Sequence, residues 1–130
     1  MIVVDASVLV TSLVDQGESG AEYRARLAAD LDQHAPGVVD LEVIAAVRRL
    51  ARERLGTVEA GEAVADLSEL PIRRYPHRAL LPRIWELRHN LTPYDAAYVA
   101  LAEVLGAPLL TADAKLAGAP GLRCEVELLA

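Results

Sequence analysis

Short apolar runs alternate with longer helical stretches along this whole chain, and that alternation leaves few architectures open. Ile2–Val4 is the first run, and residues 33–35, 72–75, 108–111 and 122–128 supply four more. Between them lie helical patterns over residues 6–14 and 18–31, a long one from the Pro36-Gly37 break to Leu55, and one that Thr57 can cap. Another carries Leu80, Leu81, Ile84 and Trp85 as far as about Arg88. The last long pattern is opened by Thr92-Pro93-Tyr94-Asp95 and stopped by Gly106. Strands that alternate with helices predict an α/β layer fold with a parallel sheet. Ligands of such sheets bind beyond the carboxyl ends of the strands, where the following helices begin.

Local detail follows from periodicity. In the long helix, Leu41, Ile44, Ala45, Ala51 and Leu55 fit a buried stripe, and Arg48, Arg49, Arg52 and Glu53 fit a solvated face. Gly56 reads as its left-handed stop. Pro82 must lie in the first turn of its helix or kink it. The helix after Pro93 is apolar nearly all round and should be packed on several sides. The final strand mixes charged and apolar residues, which suits a sheet edge.

At 130 residues the chain is expected to be one domain, residues 1–130. Its single cysteine, Cys124, has no internal partner for a disulfide, which suits a reducing cytoplasm. The first ten residues lack a basic segment and carry an acid, so they do not read as a signal peptide, and no run is long enough to span a bilayer. With 19 acids against 13 bases the net charge is −6, which excludes nucleic-acid binding through a broad basic surface. An acidic metal site remains compatible with that balance, because a bound cation offsets it.

Four acids occupy strand ends or helix starts: Asp5, Glu42, Asp95 and Asp113. In a parallel sheet with right-handed crossovers these positions share one edge. Carboxylates gathered there repel one another, and a hard divalent ion such as Mg²⁺ relieves them. No histidine or cysteine neighbours them, which disfavours zinc. Each acid also has a purely structural reading: Asp5, Asp95 and Asp113 as helix caps, Glu42 as a partner of a helix dipole. Asp5-Ala-Ser7 lacks the second acid of an Asp-x-Asp phosphatase, and phosphate-binding glycine signatures are absent.

The sequences around these acids resemble the PIN-domain family, and within it the VapC-type toxins of bacterial toxin–antitoxin pairs. The blocks are Ile2-Val-Val-Asp5-Ala-Ser-Val8, Glu42-Val-Ile-Ala-Ala46, Leu91-Thr-Pro-Tyr-Asp95-Ala-Ala-Tyr98-Val-Ala-Leu-Ala102 and Leu109-Leu-Thr111-Ala-Asp113-Ala-Lys-Leu116. The resemblance implies a PIN-like three-layer fold whose five parallel strands run in the order 3-2-1-4-5. It implies a cytoplasmic Mg²⁺- or Mn²⁺-dependent endoribonuclease, the toxin of a type II pair, with Asp5, Glu42, Asp95 and Asp113 as its acidic set. Ser7 and Thr111 fall where the family often has hydroxyl residues supporting the acids. The implied partners are RNA, a small antitoxin whose tail occupies a groove and blocks the site, and a second copy of the chain; no membrane is implied.

Two basic clusters are candidate substrate or partner surfaces: Arg48, Arg49, Arg52 and Arg54, and Arg73, Arg74, His77 and Arg78, with Lys115 near the acids. A solvated helix face with ordinary ion pairs is the simpler explanation of both. Arg24 and Arg26 read as plain surface residues, and His34, His77 and His89 receive no catalytic role. Ala63, Val64 and Leu67 fit either a dimer face or the core. Two alternatives stay open: a PIN-type RNA-processing nuclease that is not a toxin, and a non-catalytic binding module that keeps the acids as caps.

Overall fold

The apolar Ile2–Val4 run forms β1, and burial of all three residues places it at the centre of a five-stranded sheet. The computed structural model describes residues 1–130. The other strands are β2 (Gln33–Pro36), β3 (Arg73–Tyr75), β4 (Leu109–Thr111) and β5 (Val126–Leu128), in the order β3-β2-β1-β4-β5. Every pairing is parallel, with Val3 opposite His34 on one side and Leu109 on the other. A parallel sheet must be covered on both faces, which explains why β1 and β4 are continuous apolar runs without alternation.

The helices are α1 (Ala6–Val14), α2 (Glu18–Ala28), α3 (Val39–Glu53), α4 (Thr57–Glu69), α5 (Leu81–Glu86), α6 (Pro93–Leu105) and α7 (Ala114–Ala117). A 3-10 turn, Arg78–Leu80, leads into α5 and places Pro82 in its first turn, where a missing N–H is harmless. α6 has the clearest local code. Thr92 accepts a hydrogen bond from the Asp95 amide at 3.2 Å, Pro93 opens the helix, and Gly106 closes it at φ 64°, a left-handed conformation suited to glycine. Ala96 through Ala102 are all buried, so α6 is enclosed as its all-round apolar surface requires, packing on β1, β2 and β4. The acids at the end of β1 and the start of α6 therefore rest on deeply buried elements. No helix is long and apolar enough to cross a membrane.

Several expectations need correction. The buried stripe of α3 is Val39, Val43 and Val47. Leu41 is 69% exposed and Ile44 40%; Ala45 and Ala51 are also exposed, and Leu55 is half-buried. This helix carries two apolar stripes, and the β-branched one docks. Gly56 has φ −65°, so it is no left-handed stop; it precedes α4 in extended conformation. Thr57 is accordingly the first residue of α4 and not its cap. Ala63 and Leu67 face the core, leaving Val64 partly exposed. α2 stops at Ala28, and β5 keeps only three residues at its sheet edge. Arg24 and Arg26 are tethers: Arg24 donates to the carbonyls of Ser12 and Asp15, and Arg26 forms a two-pronged ion pair with Glu127.

Candidate active site: a carboxylate cleft

Asp5 follows β1 directly and occupies the cap position of α1, yet its carboxylate makes no capping hydrogen bond. Instead Ser7 Oγ and Thr111 Oγ1 both donate to its Oδ2, each at 2.7 Å. The two hydroxyls also accept the amides of Ala112 and Asp113, at 3.1 and 3.0 Å. Ser7 and Thr111 thus clamp the end of β1, the start of α1 and the end of β4 around one carboxylate. With 5% exposure, burial pushes the Asp5 carboxyl above its ordinary range; the two hydroxyls and the Ala6 amide oppose that, and the Asp113 charge adds to it.

Glu42 lies in the first turn of α3 and receives the Tyr98 phenol at 2.6 Å on Oε1. Burial raises the Glu42 carboxyl, the Tyr98 bond counteracts, and the charges of Asp5 and Asp95 raise it further. The Tyr98 phenol is itself raised, by burial first and then by its bond to Glu42. Asp95 stands in the first turn of α6, and it too is raised by burial and by Asp5 and Asp113, with the Thr92 hydroxyl opposing. Asp113 keeps part of its structural reading: Oδ1 caps α7 by accepting the amides of Lys115 and Leu116, at 2.9 and 3.4 Å.

All four acids line one cleft of about 260 Å³, together with Ser7, Ala46 and Arg49. In Glu42 and Asp113 the protein ties down a single oxygen and leaves the other without a hydrogen bond, and in Asp5 both hydroxyls fall on Oδ2. No three His, Cys, Asp or Glu side chains converge as a finished ligand shell. The donors here are oxygens alone, which suits a hard cation that retains several of its own waters and takes few direct carboxylates. A larger groove of about 640 Å³ lies between α1, α2 and α4, bounded by Leu9, Leu13, Leu27 and Leu70; it contains none of the four acids.

The structure brings all six singled-out residues together, and it sorts the basic ones. Arg74 is held by Asp40 and by the carbonyls of Leu67, Leu70 and Ile72, and His77 accepts the Val38 amide. These two are structural. Arg73 lies over the Tyr75 ring, and His34 bridges Asp32 and Tyr75, away from the cleft. Lys115 is exposed and does not line the cleft. One residue escaped sequence reasoning. Tyr98 is the one hydroxyl in the otherwise aliphatic, fully buried middle of α6, a signal that its OH must find a polar partner. Of the α3 cluster that the sequence offers as a substrate or partner surface, Arg49 is the member that lines the cleft; its spacing of seven from Glu42 puts both on one helix face.

Comparison with known proteins agrees with this geometry. Residues 2–122 match the PIN domain family. The chain is 42% identical to the VapC ribonuclease Mb0985 of Mycobacterium bovis, over 99% of this chain and 98% of that protein. It is 43% identical to ribonuclease VapC1 of Mycobacterium tuberculosis, covering 98% and 96% respectively. A solved toxin–antitoxin complex from Klebsiella pneumoniae contains a chain with the same fold, with a TM-score of 0.71, 18% identity, and coverage of 100% and 98%.

Proposed function

Because this chain belongs to the PIN-domain family, we propose that it is a metal-dependent endoribonuclease and the toxin of a toxin–antitoxin pair. The observation that carries the reading is the set of four carboxylates in one cleft, three of them raised by burial and by one another. Such a set is unfavourable by itself and suits a divalent cation. Full-length relatives named ribonucleases support the reaction class.

Asp5, Asp95 and Asp113 would hold Mg²⁺ or Mn²⁺, directly or through its waters, and Glu42 would either join them or orient the attacking water. The cation, when bound, supplies charge for the phosphate and acidifies water. The chain's own share is orientation. Ser7 and Thr111 fix Asp5, Tyr98 fixes Glu42, and the cap of α7 fixes Asp113, so that their carboxylates are held in place along the cleft. Attack in line with the departing O3′ would leave a 5′-phosphate and a 3′-hydroxyl.

The antitoxin is proposed to occlude this cleft; a solved structure of the same fold is a toxin–antitoxin complex, which supports such a partner. A second copy of the chain has the exposed Leu41, Ile44 and Ala45 stripe available to it. The experiment is cleavage of a mixed cellular RNA pool by purified protein. Discrete fragments are expected with Mg²⁺ or Mn²⁺ and none with a chelator, and Asp95→Asn should lower the rate by roughly 100-fold or more. Metal-independent cleavage, or full activity in Asp95→Asn, would sink the assignment.

A further inference from the structure

Arg49 is the single cation lining the carboxylate cleft, and it is a member of none of the chain's ion pairs. This is unusual company for an unpaired guanidinium. Elsewhere in the molecule Arg26, Arg74 and Arg83 each hold a carboxylate within 3 Å. Arg49 is exposed, two helical turns along α3 from Glu42 on the same face. At 1.5 Å per residue the two Cα atoms stand ~10.5 Å apart along the helix axis. Ala46, between them on that face, has no bulk with which to close the cleft.

We propose that Arg49 is the residue that grips a phosphate of the RNA strand beside the one being cut, so that the strand runs along the Glu42–Ala46–Arg49 face of α3. This rests on the nuclease reading and adds to it a substrate-binding residue and a path. The chemistry is that of a planar fork matched to two phosphate oxygens, in a cleft whose other charges all repel RNA. Glu42 is held toward Tyr98 through its Oε1 and makes no ion pair with Arg49. The guanidinium is therefore kept available. Arg48 and Arg52 are exposed too, but neither lines the cleft.

The test uses the full chain carrying Asp95→Asn, so that RNA is bound without being cut, and a fluorescent single-stranded oligoribonucleotide of mixed sequence in Mg²⁺. Adding Arg49→Gln should weaken binding about tenfold, the loss expected for a charge-assisted contact. It should also flatten the plot of log affinity against log salt by about 0.7, the share of one phosphate on a single strand. Arg49→Lys should recover part of the affinity and the whole salt slope, since it keeps the charge and loses the fork. Arg52→Gln, on the same helix but outside the cleft, should leave both nearly unchanged. In otherwise unmutated protein, Arg49→Gln should raise KM and leave kcat largely intact. Equal affinity and equal slope in Arg49→Gln would overturn the proposal, as would equal losses in Arg52→Gln. If cleavage by unmutated protein still requires metal and Asp95, such a result removes Arg49 alone; if cleavage is absent as well, the nuclease reading falls with it.

Discussion

Glu103 and Glu127 sit beside guanidiniums, whereas Asp5, Glu42 and Asp95 sit beside one another. Burial alone would raise Glu103, yet two hydrogen bonds from Arg83 and one from the Arg123 amide hold it below its ordinary range. Arg26 does the same for Glu127. In the cleft burial also raises the carboxyls, but the nearest charges are other acids, and the only relief comes from neutral hydroxyls and amides. The same residue types are thus built in two ways. Acids that serve the fold come with their cation; acids that serve a ligand are oriented by dipoles and left with charge to offset. What marks the two classes apart physically is the presence or absence of a partner cation.

The comparison breaks most visibly if the cleft does not respond to a cation. Saturating Mg²⁺ or Mn²⁺ should raise Tm by about 3–8 °C in a thermal melt, and Asp5→Asn combined with Asp113→Asn should abolish the rise. No rise in the unmutated protein would place the cleft with the ordinary surface acids. A smaller effect concerns the metal-free protein. An acid raised in the folded state stabilises fully below its ordinary value, 3.8 for Asp5, and that stability is lost as pH rises through the folded value. Metal-free Asp5→Asn should therefore be more stable than unmutated protein at pH 7, by about 1 kcal/mol, with the advantage fading below about pH 4. Urea melts at both pH values test this, and a loss at pH 7 would show that Asp5 is retained for stability.

The paired acids should behave in the opposite sense. An acid lowered in the folded state stabilises above its ordinary value, 4.5 for glutamate, and loses that contribution as pH falls through the folded value. Glu103 is 12% exposed in its ion pair, so Glu103→Gln should destabilise by about 1–2 kcal/mol at pH 7 and much less at acid pH. Glu127 is 43% exposed, solvent screens it, and Glu127→Gln should change urea stability by less than about 0.5 kcal/mol. Equal effects for the two would mean that burial does not grade these pairs.

Much of the fold was legible because strand and helix signals were local. The cap, proline and glycine of α6 sit where Thr92, Pro93 and Gly106 placed them. The strand order came from the family blocks, since nothing in a three-residue strand such as β3 names its neighbour. The α3 stripe misled because Val39, Val43 and Val47 compete with Leu41, Ile44 and Ala45 at equal helical spacing, and only tertiary packing chooses. The four acids were legible as a set, but their orientation was not. That Asp5 takes both hydroxyls on one oxygen, or that Glu42 meets a tyrosine 56 positions away, depends on how β1, β4, α3 and α6 converge.

Tyr98 is fully enclosed, and its hydroxyl has Glu42 as its side-chain partner. An acid at the mouth of the cleft is thereby bound to the middle of the core. In terms of descent, the two positions form one heritable unit. A lineage that discards Glu42 strands a phenol in the interior, and selection for folding alone then favours phenylalanine at position 98. Loss of this site should leave its mark in the core as well as at the surface.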